Sequence, residues 1–429
     1  MKPASKVTCM VIDGGGEHAN MAIRLAEGFA KVRYCFPLAL RQPWPTIYQD
    51  AIGTGMGVEQ VLDWEDYIDE TDLFVFPDNG GGAVQKMIRE RFGKPCWGCD
   101  KAEELEFDRA KMKREMENLG LPLQPWQEVF GVDALEDYLE EHENQYVKIA
   151  ELRGMGESFF AKNLASVIHT KINPLRASLG PASEQVAFIC EDELPDREEL
   201  GIDTWTMEGK YPDLNFLGIE IKNRAYLGSF NHWKNLSPCL TNFSEKIAPL
   251  LKKYHYRGAI STELRVKGPK AEDAIMIDLC CRAGIPPMDC EMEVVDNFPE
   301  VVWGVANGVM VEPEQRAKFV FQCIADDCSE GQEWLPIKVP KELRKHVKIR
   351  YPMRSGGMLW SIPQKIAHFA LPSVVAWGDT IDEARDNVKY VIDAIDAPGL
   401  KFHKEALDEA EESIENTAKR GITMFNMKE

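Results

Sequence analysis

Glu263, Asp278 and Arg282 are the residues of this 429-residue sequence whose types and spacing most directly suit chemistry. They lie in the stretch 260–287, ISTELRVKGPKAEDAIMIDLCCRAGIPP. It reads as a strand carrying Glu263, a short charged turn, and a second strand, AIMIDL, carrying Asp278. Side chains alternate along a strand with a period of two, so two paired strands can present both carboxylates on one face. Acidic oxygens so placed suit Mg2+ (or Mn2+); Mg2+ takes one or two carboxylates plus substrate phosphates. Arg282 follows the second carboxylate by four residues, and its planar fork can grip a phosphate oxygen. A hairpin with two surface acids and a solvated arginine has the same local pattern, so the other segments decide.

Several of those segments could bring a nucleotide to that spot. Lys148 sits in the otherwise apolar strand QYVKIAEL, where a lysine costs desolvation unless an anion meets it. RGMGES (153–158) follows, with Gly154, Gly156, Glu157 and Ser158. Its glycines let a loop lie over phosphates and bind them through backbone N–H groups. The GxxxxGK[ST] pattern of a P-loop is absent. FDRAKMKREMENLGLPL predicts a helix capped by Asp108, with Arg109 and Lys113 four apart on one face. VAFICEDEL (186–194) is a strand running into acids, whose backbone could receive an adenine edge, with the acids near a ribose. Lys222 and Arg224 come close together in IEIKNRAYLGS. Nearer the start, VTCMVIDGGG runs into Gly15, Gly16, Glu17 and His18, and TDLFVFP runs into Asp78, Asn79 and Gly80. Glycine-rich turns at strand C-termini are where open parallel sheets bind ligands. Neither is a GxGxxG, which weighs against a Rossmann-type dinucleotide enzyme.

Composition narrows the class. The chain has 50 basic and 70 acidic residues, net −20, which argues against sequence-independent binding to nucleic acid or anionic membrane. No apolar run approaches the roughly 20 residues of a membrane span. The N-terminus has no small-residue cleavage site of a signal peptide. Eleven scattered cysteines with no framework spacing suit a reduced, cytoplasmic protein, and the lone Cys96-Trp-Gly-Cys99 reads as buried thiols.

At this length the chain suits two to four domains. Residues 1–100 read as a small doubly wound α/β domain, 101–335 as an α+β unit with a lid at about 124–190, and 336–429 as a small α+β domain with a charged terminal helix. KIAPLLKKYHYRG predicts a helix ending at Gly258, and TIDEARDNVKYVIDAI one capped by Asp379 or Thr380.

Together these motifs resemble the ATP-grasp superfamily, and within it phosphoribosylamine–glycine ligase, over nearly the whole chain. VIDGGGEHANMAIRLA is similar to that ligase's GGREHAL turn, FDRAKMKREMENLGLP to its first nucleotide-lysine helix, YVKIAELRGMGES to VIKADGLAAGKGV, and IMIDLCCRAGIPP to VIEFNARFGDPE. SVVAWGDTIDEARDNVKYVIDAI looks like the C-terminal domain with its GxTLxEA helix. The resemblance implies the ATP-grasp fold with an N-terminal doubly wound (pre-ATP-grasp) domain. It makes Lys113 and Lys148 the two nucleotide lysines, with Arg109 beside them and Gly154 to Ser158 the flap over the phosphates. It makes Glu191, Asp192, Glu193 and Leu194 the adenine hinge, and Glu199 or Asp203 the ribose ligand, with Lys222 and Arg224 also toward ATP. It implies metal at Glu263 and Asp278, and a catalytic role for Arg282. The acceptor falls to the glycine turns, with residues 15–18 and 78–80. Cys280 stands where the family has a metal-binding asparagine, AYLGSFNHWKN replaces NTGGMG, and GIPP replaces GDPE.

The implied activity is ATP-dependent ligation of a small carboxylate to an amine through an acyl phosphate, by a monomer or homodimer. The alternative is an ATP-binding homologue that has lost catalysis and serves as a sensor or scaffold.

Overall fold

The computed structural model describes residues 1–37, 46–150, 158–329, 333–367 and 371–425. The first apolar runs form a five-stranded parallel sheet of β1 (Thr8–Ile12), β2 (Lys31–Cys35), β3 (Glu59–Val61), β4 (Leu73–Val75) and β5 (Cys96–Trp97), in the order β3-β2-β1-β4-β5. Alternation along β1 feeds two cores. Cys9 and Val11 pack with Met21 and Leu25 of helix Ala19–Leu25, and Met10 and Ile12 with Ile88 of helix Gly82–Phe92. The sheet is therefore doubly wound. Its order reverses between β1 and β4, where ligands bind in such sheets.

The segment expected to form a lid is a four-stranded antiparallel sheet of β6 (Trp126–Phe130), β7 (Gln145–Ile149), β8 (Ser158–Ala161) and β9 (Ala187–Asp192), in the order β6-β9-β7-β8. It has its own core, with Val129, Leu135, Val147 and Phe188. The central sheet contains β10 (Glu198–Met207), β11 (Leu214–Ile221), β12 (Ala225–His232), β13 (Arg257–Val266), β14 (Ala274–Cys280) and β15 (Phe319–Asp327). After it come β16 (Leu335–Ile337), β17 (Val347–Lys348), β18 (Met353–Ser355), β19 (Met358–Ser361), β20 (Ser373–Gly378) and β21 (Leu400–Phe402). The sheet order is β14-β13-β10-β11-β12-β15-β20-β17, with β21 also on β15. Residues 335/336, the expected boundary, fall within β16, which forms a separate three-stranded sheet in the order β16-β19-β18, while β20, β17 and β21 extend the central sheet.

One face of the central sheet packs on helix Pro238–Lys253 and the terminal helix Ala406–Lys419. The other packs on helices Pro287–Val294 and Phe298–Ala306, whose far side meets the N-terminal sheet in the same core. The helix expected to end at Gly258 stops at Lys253. Tyr256 is buried, and Arg257 already exchanges backbone hydrogen bonds with Gly98 (2.8 and 3.1 Å), so the chain turns to strand there. Asp108 and Thr380 cap their helices as expected, and Cys96 and Cys99 are buried free thiols. Among the described residues no helix is long and apolar enough to cross a membrane.

Candidate active site

β13 and β14 pair antiparallel with Glu263 opposite Asp278. The register shifts at Glu263/Leu264, so that β14 holds one extra residue, Ile277. That bulge resets the alternation: Ile275 and Ile277 are half-buried before it, and Asp278 and Cys280 after it. Bulges of this kind re-aim side chains beside active sites. Burial, then the facing Asp278 carboxylate, push the Glu263 carboxyl up to about 8, against the pull of Lys222. Two like charges held together in an oxygen-only pair gain from a hard divalent cation, so the pair fits Mg2+. Cys280 beside them is a poor ligand for such an ion. No group of three or more metal-ligating side chains occurs among the described residues.

The nucleotide lysines expected from the sequence come together. Lys113, on helix Arg109–Asn118, and Lys148, on β7, both pair with Glu191 of β9; Lys148 lies 3.1 Å from its Oε2. Lys113 and Glu191 are each 1% exposed. Burial lowers the Lys113 pKa. At Glu191 burial is outweighed by the two ammonium groups, which hold its carboxyl below the usual range. Lys148 Nζ also donates to the carbonyl of Ile277, the bulge residue, at 3.0 Å. Arg109, buried one turn before Lys113, donates to the Ile149 carbonyl (2.8 Å) and lies 3.6 Å from Asp278. The lid lysine, the linker arginine and the carboxylate pair therefore form one connected cluster.

Arg282 lies just past β14 and is partly exposed. Its Nε donates to Glu106 Oε1 (3.0 Å) and stands 3.8 Å from Asp78. The turn after it meets both glycine loops: Ala283 N donates to Pro77 O (2.8 Å), and His18 Nε2 lies 2.9 Å from Ala283 O. Gly15 approaches Asp78, and Glu17 pairs with Arg350 (3.2 Å). A few residues past Arg282 lies a narrow crevice of about 30 Å3, room for about one water, lined among others by Ile285, Pro286, Asp289, Gln322, Lys348 and Arg350.

Other expected residues are employed differently. The amides of Gly16 and His18 donate to Asp13, those of Gly80 and Gly82 to Glu103, and that of Asn79 to Asp78, so these turns are closed by the protein's own carboxylates. The amides of Asp192 and Glu193 donate to Pro125 and Asn144 carbonyls; Leu194 follows, half-buried. Asp203 is buried and accepts from Tyr226 (2.6 Å) and Ser261 (2.5 Å), which turns it into the core rather than toward a ribose. Glu199 is exposed and pairs with Arg265. Lys222 is exposed near Glu220, whereas Arg224 makes a two-pronged pair with Glu409 of the terminal helix and is not brought to the cluster. Gly154, Gly156 and Glu157 lie outside the described residues; Ser158 opens β8, exposed and opposite Lys148. Sequence reasoning missed Asp13, Glu103 and Glu106. Their only signals are an acid directly before GGG and acids in the segment AEELEF, half of it glutamate.

The chain has the ATP-grasp fold. No protein-family model and no curated protein matches the sequence. Solved structures do match. Phosphoribosylamine–glycine ligase from Thermotoga maritima is 15% identical, with a TM-score of 0.69 over 92% of this chain and 99% of that one. Biotin carboxylase from Campylobacter jejuni, solved as a β-γ-ATP complex, is 16% identical, with a TM-score of 0.63 over 96% and 97%. The biotin carboxylase domain of 2-oxoglutarate carboxylase from Hydrogenobacter thermophilus is 12% identical, with a TM-score of 0.65 over 99% and 100%. It was solved as a dimer with MgADP, ADP and bicarbonate.

Proposed function

We propose that this chain is an ATP-dependent carboxylate–amine ligase that works through an acyl phosphate. The observation that carries the reading is the buried Lys113–Glu191–Lys148 group. It is joined through Ile277 to the Glu263–Asp278 pair, in a fold shared with proteins solved with ATP or MgADP. Lys113, Lys148 and the 153–158 segment would hold the phosphates, and the backbone near 192–194 the adenine. Glu263 and Asp278 would hold Mg2+ (or Mn2+), which when bound neutralises charge on the β- and γ-phosphates. A substrate carboxylate attacks the γ-phosphorus and ADP leaves, with Arg282 offsetting charge on the transferring group. The amine then attacks the acyl carbon, phosphate leaves, and the amine proton passes to phosphate or solvent. The closed lid keeps water from the acyl phosphate.

The same proposal takes residues 1–100, 101–335 and 336–429 as the functional units. It places the protein in the cytoplasm as a monomer or homodimer, with phosphoribosylamine and glycine as the first substrate pair to try. A non-catalytic, ATP-sensing role is the second reading, favoured by Cys280 beside the metal pair. The test is ADP and phosphate release from MgATP against carboxylates paired with amines. Release that needs both partners, and that falls at least about 100-fold in Lys148→Ala, supports the ligase. Tight ATP binding with no turnover on any pair supports the sensor. Full activity in Lys148→Ala removes the nucleotide assignment.

A further inference from the structure

We propose that Asp13 and His18 act together as positioning residues for Arg282, so that the first loop of the N-terminal sheet sets where the guanidinium stands. This rests on the ligase reading only for what Arg282 does once placed.

The turn 281–284 lies beyond the end of β14, so no sheet ladder fixes it. Gly284 O accepts from Met288 N at 2.8 Å in the helix that follows, and three further bonds hold the turn's backbone. Glu106 accepts from Cys281 N at 2.7 Å, Pro77 O accepts from Ala283 N at 2.8 Å, and His18 Nε2 meets Ala283 O at 2.9 Å. The last two come from the loops after β1 and β4, and of those two only His18 reaches with a side chain. His18 is 3% exposed, walled off from any ligand in the cleft, so it acts through the turn rather than on a substrate.

Both ring nitrogens of His18 face acceptors: Nε2 faces the Ala283 carbonyl, and Nδ1 lies 3.6 Å from Asp13 Oδ1. A neutral ring would turn a lone pair toward one of them, so the doubly protonated ring is the form that fits. Burial opposes that charge, but Asp13, Asp78 and the Ala283 carbonyl raise the pKa to about 9. Asp13 is itself immobile: it is fully buried and accepts from Gly16 N (2.9 Å), His18 N (2.6 Å) and Tyr34 OH on β2 (2.8 Å). The chain of contacts therefore runs from the sheet through Asp13 and His18 to the residue next to Arg282. A His18 that served only to fill space could be replaced by any apolar side chain of its size without disturbing Arg282.

The test uses the full chain and His18→Leu, His18→Gln and Asp13→Asn, with Arg282→Lys to assign the Arg282 Nε–H signal in a nitrogen–proton NMR correlation. Two quantities are read: solvent exchange of that proton, and the affinities for Mg2+ with AMPPNP and with ADP. His18→Leu is expected to speed exchange about tenfold and to weaken AMPPNP several-fold, with ADP unchanged. His18→Gln, whose amide can still donate to Ala283 O, should keep most of both. Asp13→Asn retains an oxygen for the Gly16 amide but removes the charge. It should move in the direction of His18→Leu, and it carries the test should the leucine variant fail to fold. Unchanged exchange in the folded variants overturns the proposal. Faster exchange with unchanged AMPPNP affinity upholds the positioning and overturns the role of Arg282 on the transferring phosphate.

Discussion

Glu191 carries more of the site than its place at the end of a strand suggested. It is the counter-charge for two lysines that would otherwise be buried alone. Removing one partner of such a group costs about 3–5 kcal/mol, because the remaining charges stay desolvated. Glu191→Gln is therefore expected to lower the nucleotide-free unfolding free energy by about 3 kcal/mol, and by less under saturating MgADP, whose phosphates resupply the negative charge. Urea titrations with and without nucleotide check this, and equal losses in both would count against phosphates at the two lysines. A second expectation concerns His18. Its pKa is raised in the fold from 6.5 to about 9. A raised value means stabilisation fully present below pH 6.5 and lost as pH climbs through 9. The difference in unfolding free energy between wild type and His18→Gln should shrink by about 2–3 kcal/mol from pH 6 to pH 9.5. A constant difference would show that the fold leaves the ring's pKa unshifted, and a difference that grew with pH would show a ring held neutral.

At the scale of elements, the turn between β11 and β12 was read as a source of two cations for ATP, but it divides them. Arg224 is tied to Glu409, so Arg224→Ala should leave ATP affinity unchanged in a calorimetric titration while loosening the terminal helix. The elements themselves were legible where local rules govern them. The apolar strands β1, β4 and β7, the Asp108 and Thr380 caps and the one-face spacing of Arg109 and Lys113 need no distant partner. The bulge at Ile277 was not legible, because it is set by pairing with β13 rather than by composition. Nor was the grip of Glu106 on Arg282, whose partners lie 176 residues apart. Amphipathic spacing likewise gave the helix that includes Lys246 to Lys253 but not its end, which a contact with Gly98 decides.

At the scale of the molecule, the N-terminal sheet and the central sheet share one core through helices Pro287–Val294 and Phe298–Ala306. Of the strands that follow residue 335, β17, β20 and β21 extend the central sheet, while β18 and β19 pair with β16 in a small sheet of their own. A chain ended at 335 would leave β15 without β20 and β21. It would also bare the face that Leu407, Ala410 and Ile414 cover. It is expected to show no cooperative unfolding transition by circular dichroism; a sharp transition like that of the full chain would make residue 335 the edge of a domain that folds on its own.

The lid stands apart from this. Its first strand, β6, and its last, β9, are paired with each other, Trp126 opposite Glu191, so the chain leaves the main body and returns to it at nearly one point. In architectural terms the lid is a cassette with a single doorway. Segments of other lengths can be exchanged there without re-registering any strand of the central sheet. The lid segment can thus change in size while the sheet that carries Glu263 and Asp278, and the turn with Arg282, keep their register.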